Sequence, residues 1–154
     1  DIDEMHAELP DFHYAILRHD RPDTETQARF SLPFVMAACL VHGRLTGKHL
    51  ADPRAAGEDI WKLIERTNIR QVVPRRPDMN FDPEQPDRLR VRLISGEVIE
   101  ERRAFPEGSP NVPVSRATIL AKYAENTAPL RVHPDLQSWA GSPDLAAFIE
   151  LVTA

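Results

Sequence analysis

Ala28-Arg29-Phe30-Ser31-Leu32-Pro33-Phe34-Val35-Met36-Ala37-Ala38-Cys39-Leu40-Val41-His42-Gly43 is the stretch on which the fold turns. It reads as one helix with both ends marked. Ser31 is a good N-cap, because its hydroxyl can accept a hydrogen bond from a first-turn amide. Pro33 falls in the first turn, where its missing N–H costs little. Gly43 can take the left-handed conformation that commonly ends a helix. Between the caps, Leu32 to Val41 are all apolar, so no polar stripe can face water. Such a helix is buried on most sides. The expectation is a sheet on one flank and a further surface, not necessarily in this sequence, on the other.

Working outward, residues 2–9 alternate, with Met5, Ala7 and Leu9 on one side and Glu4, His6 and Glu8 on the other. This is the pattern of a half-buried strand, which Pro10 stops. Phe12 to Leu17 reads as a short extended piece, and Arg18 to Gln27 as a polar loop. Beyond Gly43, a connector leads to Asp52-Pro53. Ile60, Leu63, Ile64 and Thr67 at i, i+3, i+4 and i+7 then predict an amphipathic helix over 53–67, with Glu58 and Lys62 as an outer ion pair. Gly57 weakens its first turns. Ile69 to Val73 predicts a short strand, and 75–87 a proline-rich loop.

Leu89, Val91 and Leu93 alternate with Arg88, Arg90 and Arg92, and Ser95-Gly96 reads as a two-residue hairpin turn before a return strand from Val98 to Ala104. That register sets Leu93 opposite Val98 and Arg90 opposite Glu101. Ser115 is a third N-cap, for a helix lined by Ile119, Leu120, Tyr123, Ala124 and Thr127. Ser142-Pro143-Asp144 opens a last helix carrying Leu145, Phe148, Ile149 and Val152. The element order is β-α-α-β-β-β-α-α, an α+β fold with a mostly antiparallel sheet of about four strands covered by helices, over a single domain of residues 1–154.

Composition narrows the function. A 154-residue chain with 42% hydrophobic and 28% charged residues has room for one ordinary core. A net charge of −5 gives no electrostatic case for nucleic acid or an anionic membrane. No apolar run approaches the ~20 residues that span a bilayer. Asp1-Ile2-Asp3-Glu4 lacks the basic start of a signal peptide and reads as a continuation of something longer. One cysteine, Cys39, cannot pair within the chain, which fits a reducing cytoplasm; inside the apolar helix it reads as a small hydrophobe. His6, His13, His19, His42, His49 and His133 show no ligand pair at i,i+4, so no metal site is expected. The arginines at 75, 76, 88, 90 and 92 are offset by neighbouring acids and read as a solvated strand face.

Several of these stretches resemble the MmgE/PrpD family. Ala28 to Phe34 with the His42-Gly43 end is similar to the opening of the first helix of its C-terminal domain. Val91 to Val98 is similar to its hairpin. Gly108-Ser109-Pro110-Asn111-Val112-Pro113-Val114-Ser115 matches its glycine–proline entry to the next helix, and Leu120-Ala121-Lys122-Tyr123 falls where members carry an Ala-Lys-Phe, so the resemblance runs across roughly residues 3–127. It implies the C-terminal lid domain of a longer two-domain enzyme, whose all-helical N-terminal domain carries most catalytic side chains. It further implies a lyase or isomerase (dehydratase, decarboxylase or epimerase) acting on a small polycarboxylate by proton abstraction next to a carboxylate. No cofactor is expected, and the full-length protein is expected to be a homodimer.

Leu9-Pro10-Asp11-Phe12-His13-Tyr14 matches the pattern apolar-Pro-x-apolar-x-Tyr of cis-aconitate decarboxylase, so the resemblance points to Tyr14 as a catalytic residue. His13 is a candidate to share substrate binding. Ser31 caps a helix whose N-terminal amides would favour an anion, and Arg29 lies two residues away, so both are candidates for a carboxylate. Against each stands a plainer role: a rim tyrosine, a solvated histidine, a simple cap and a surface arginine. The alternative for the whole chain is a stand-alone α+β binding or interaction module without catalysis.

Overall fold

The structure, a computed structural model, describes residues 2–128. They fall into two compact units, divided after Pro106. In the first unit, strand β1 (Ile2–Pro10) is followed by α1 (Asp11–Ile16), α2 (Glu25–Arg29), α3 (Leu32–His42), α4 (Gly47–Ala51), a 3-10 turn (Pro53–Ala55) and α5 (Glu58–Glu65). Strands β2 (Thr67–Val72), β3 (Asp87–Leu93) and β4 (Val98–Arg103) complete it. The second unit contributes α6 (Arg116–Thr127). The helix expected after Ser142 lies outside the described residues.

The chain is α+β, with one four-stranded mixed sheet in the order β2-β1-β3-β4. β1 is central: it runs parallel to β2, with Ala7 beside Ile69, and antiparallel to β3, with Ala7 opposite Leu89. The alternation in β1 does what its period requires. Met5, Ala7 and Leu9 are buried with Val91 on one face. Glu4, His6 and Glu8 take the other, where they meet arginines. Arg92 lies 2.7 Å from Glu4, and Glu8 accepts a hydrogen bond from Arg70 at 3.3 Å and pairs with Arg88 at 3.5 Å. The His6 imidazole, followed by Arg92, holds the Glu4 carboxyl below the usual range.

α3 forms as its caps dictate. The Ser31 hydroxyl accepts the Phe34 N–H at 3.3 Å, and Gly43 closes the helix at φ +73°. Phe34, Ala37 and Ala38 are buried with Ile60 and Ile64 of α5, Leu50 of α4 and Ala28 of α2. α3 packs chiefly on α5, and α5 in turn meets β1. Two adjacent alanines on α3 let the second helix approach closely. Leu40 stays 44% exposed and Phe30 42%, so part of the apolar surface faces outward.

Four local expectations change. Phe12 to Ile16 is helical, with Leu17 as its C-cap, because Pro10 is extended at the N-cap and Asp11 supplies a first-turn acid. The loop before the central helix contains α2, begun by Thr24, whose hydroxyl accepts the Gln27 N–H at 3.3 Å. The helix over 53–67 is broken: Gly57 is extended and serves as N-cap, so only Glu58–Glu65 is α-helical. Its Glu58–Lys62 pair forms at 3.0 Å. Finally, the hairpin register moves by one residue. Arg92 faces Val98 and Arg90 faces Glu100, since Leu93 donates to the Glu97 carbonyl and Gly96 sits at φ +87° as an extra left-handed residue.

In the second unit, Ser115 accepts the Thr118 N–H at 3.0 Å and starts α6 as expected. Thr127 is the buried residue on that helix. No helix among the described residues is long and apolar enough to cross a membrane.

Candidate functional site

Tyr14 sits on α1, a helix too short to hold itself together and therefore pinned by side chains. At its start, the Gln71 amide of β2 donates to Asp11 at 2.8 Å. In its middle, His13 Nδ1 stands 3.6 Å from a carboxylate oxygen of Asp87, the first residue of β3. The imidazole also lies between the rings of Phe12 and Phe81, at centroid distances of 5.7 and 5.2 Å. Burial pushes the Asp87 carboxyl up from the usual range, and the nearby imidazole opposes that shift. At the helix end, Leu17 N–H donates to the His13 carbonyl at 3.0 Å.

The chain then runs back along the start of α3. Arg18 pairs with Ser31 as an isolated antiparallel bridge, and His19 N–H donates to the Phe30 carbonyl at 3.2 Å. Between α1, this returning segment, the first turn of α3 and the start of β2 lies a cleft of about 330 Å³. Tyr14, 40% exposed, lines it together with Arg18, Asp20, Pro33 and Asn68. The lining is mainly polar and brings a phenol, a guanidinium, a carboxylate and an amide into one recess, functional groups that suit a small hydroxylated acid.

The four sequence candidates separate here. Tyr14 lines the cleft, and His13, Arg29 and Ser31 do not. His13 points to Asp87 and Phe81, where it joins α1 to β3. Arg29 pairs with Glu25 one turn earlier on α2. Ser31 is fully buried beneath the cleft, its hydroxyl engaged by Phe34. Because Pro33 has no N–H and the Phe34 amide is capped, the start of α3 presents few free donors. Cys39 is a half-buried free thiol whose pKa is raised by burial, the state of a structural cysteine. No three His, Cys, Asp or Glu side chains among the described residues are grouped to hold a metal ion.

Arg18, Asp20, Asn68 and Asp87 were not singled out by sequence. The spacing of Arg18 from Tyr14, one helical turn, was the available signal for the first. Asp20 and Asn68 reach the cleft only through tertiary folding, and Asp87 meets His13 across distant parts of the chain.

Comparison with known proteins adds one positive finding. Residues 1–137 match the family model described as the MmgE/PrpD C-terminal domain. No curated protein sequence matches the chain.

Proposed function

Since this chain belongs to the MmgE/PrpD family as its C-terminal domain, we propose that it is the lid of a two-domain lyase or isomerase acting on a small polycarboxylate. The family match over residues 1–137 is the observation that carries this reading. A C-terminal domain implies an N-terminal domain in the full-length chain. That domain, helical in the resembled family, would provide the general base and most substrate ligands. Residues 1–154 would act as a single lid over it, inactive alone, within a homodimer. The free thiol of Cys39 supports a cytoplasmic setting.

The chemistry proposed is removal of a proton next to a carboxylate, followed by loss of water, loss of carbon dioxide or return of the proton to the opposite face. Each route builds negative charge on the carboxylate oxygens. A donor aimed at that charge lowers the barrier, because it gains strength as the charge develops. Tyr14 is assigned this role: its phenol O–H would donate to the substrate, or deliver the proton itself. Its exposure at the cleft, with α1 held to β2 through Asp11 and to β3 through His13, supports that assignment. His13, Arg29 and Ser31 lie outside this cleft, so in this reading His13 serves by holding α1 to β3, and Ser31 and Arg29 shape the α2–α3 corner and do not grip the substrate here.

The test is turnover of citrate, 2-methylcitrate, cis-aconitate and related acids by the full-length gene product. Tyr14→Phe is expected to slow kcat by about 10²-fold, the effect of removing one donor to a developing oxyanion. An inert full-length protein would favour a stand-alone binding module instead.

A further inference from the structure

We propose that the cleft beside Tyr14 is a carboxylate subsite in which Arg18 grips the acid and Asp20 reads a neighbouring hydroxyl. The choice of a polycarboxylate rests on the functional reading above; the subsite itself rests on the cleft. Arg18 is a loop residue with a fixed backbone. It is bridged to Ser31, which is fully buried, and the next residue donates to Phe30. Its guanidinium nevertheless makes no ion pair or hydrogen bond among the described residues.

Most cations on this domain are otherwise engaged. Arg21 pairs with Glu65, Arg29 with Glu25, Arg76 with Asp82 and Glu84, and Arg92 with Asp3 and Glu4. The cleft at the other end of β1 has about 290 Å³, and Arg88 and Arg102 in its wall are already paired with Glu8 and Glu100. An anion meeting Arg88 or Arg102 there would have to displace protein carboxylates, and Arg75, which has no ion pair among the described residues, shares that wall with Glu8 and Glu84, two carboxylates that repel an anion. Arg18 faces one carboxylate in its cleft, Asp20.

Guanidinium and carboxylate match as two parallel N–H···O bonds, an arrangement an ammonium cannot reproduce. Asn68, which also lines the cleft, adds amide donors, and Tyr14 adds a phenol. Asp20 would repel a second carboxylate but accept a hydroxyl hydrogen. The recess therefore favours an acid bearing a hydroxyl one or two carbons from the held carboxylate over the same acid without it. Arg18 and Asp20 are binding residues in this proposal, whereas Tyr14 faces the reacting carbon.

Calorimetric titration of the full-length protein with citrate, and with tricarballylate as its counterpart lacking the hydroxyl, tests this directly. Arg18→Met should weaken citrate binding at least 10-fold, Arg18→Lys should weaken it less, and Arg103→Met, on the distant strand β4, should leave it unchanged. Asp20→Asn should reduce the preference for citrate over tricarballylate. Equal citrate affinity in wild type and Arg18→Met overturns the subsite, as does a wild-type protein that binds neither acid. If binding depends on Arg18 but no acid is turned over, the subsite stands and the lyase or isomerase reading falls. If turnover is present with kcat and KM unaffected by Arg18→Met, the lid reading stands and the subsite falls.

Discussion

His13 Nδ1 lies 3.6 Å from Asp87, so one imidazole–carboxylate contact ties the helix bearing Tyr14 to the first residue of β3. Two side chains distant in sequence thereby set the position of a six-residue helix. Replacing both, His13→Ala and Asp87→Asn, in a double-mutant cycle should show a coupling of about 1 kcal/mol in urea unfolding. The pH dependence has a definite sign. Burial raises the Asp87 pKa above its unfolded value of about 3.9, so the native state binds the proton more tightly than the unfolded chain. Its cost to folding is fully present above the folded pKa and relaxes as pH falls through it. A carboxyl titration by NMR with an Asp87 midpoint at or below about 3.9 would contradict this.

Ser31→Ala removes the acceptor for a buried amide. The cost should be about 1–2 kcal/mol, measured by denaturant unfolding. Kinetics on the full-length protein then separate two roles for the same residue. Lower stability with unchanged KM identifies a cap alone, while a raised KM shows that the helix end also meets substrate.

Gly96 and Gly43 hold φ values of +87° and +73°, and a methyl group added at either would meet nothing within 4 Å. Substitution by alanine therefore carries a conformational cost alone, about 1 kcal/mol at each site. Gly47, which also has open space but no positive φ, should tolerate alanine with no loss. Equal losses at all three positions would show that packing, not backbone conformation, is responsible.

Asp82 is buried in the 75–86 segment, where Arg76 forms a two-point contact with it and Glu84 N–H donates at 2.9 Å. The Arg76 hydrogen bond, ahead of the Glu84 amide, holds its pKa below the usual value. That stabilisation is present above the unfolded pKa of about 3.9 and is lost as pH falls through the lower, folded value. Asp82→Asn should flatten the acid limb of the stability profile below about pH 4. An unchanged acid limb by circular dichroism would rule the contact out as a contributor.

What could be read from the sequence follows the range of the forces involved. The caps of α3, the alternation of β1 and the Ser115 cap are local, and each formed where its residues dictate. The proposal for Tyr14 rests on the Leu9–Tyr14 pattern, and the structure adds that it lines a cleft; nothing in its spacing separates a reacting phenol from a rim residue. The misreadings have local physical causes too. Phe12, Tyr14 and Ile16 mimic strand alternation, yet all three are exposed on a short helix held from outside. One left-handed glycine moved the hairpin register, and one extended glycine divided a helix. Asp87, Asp20 and Asn68 could not be found locally, because their partners are supplied by the fold.

The central position of β1 also bears on the order in which the domain assembles. Within this domain β1 precedes the other strands, yet its neighbours are β2 and β3, with Met5 beside Thr67 on one side and Val91 on the other. The segments α2 to α5 can bring Ala28, Phe34, Leu50 and Ile60 together from a continuous stretch of chain. The sheet cannot close until residues 87–93 have left the ribosome, and distant pairings of this kind slow folding. Until β2 appears both hydrogen-bonding edges of β1 are open, and until β3 appears one of them still is. A growing chain must therefore shelter its first strand while the helices that will lie against it are already gathering.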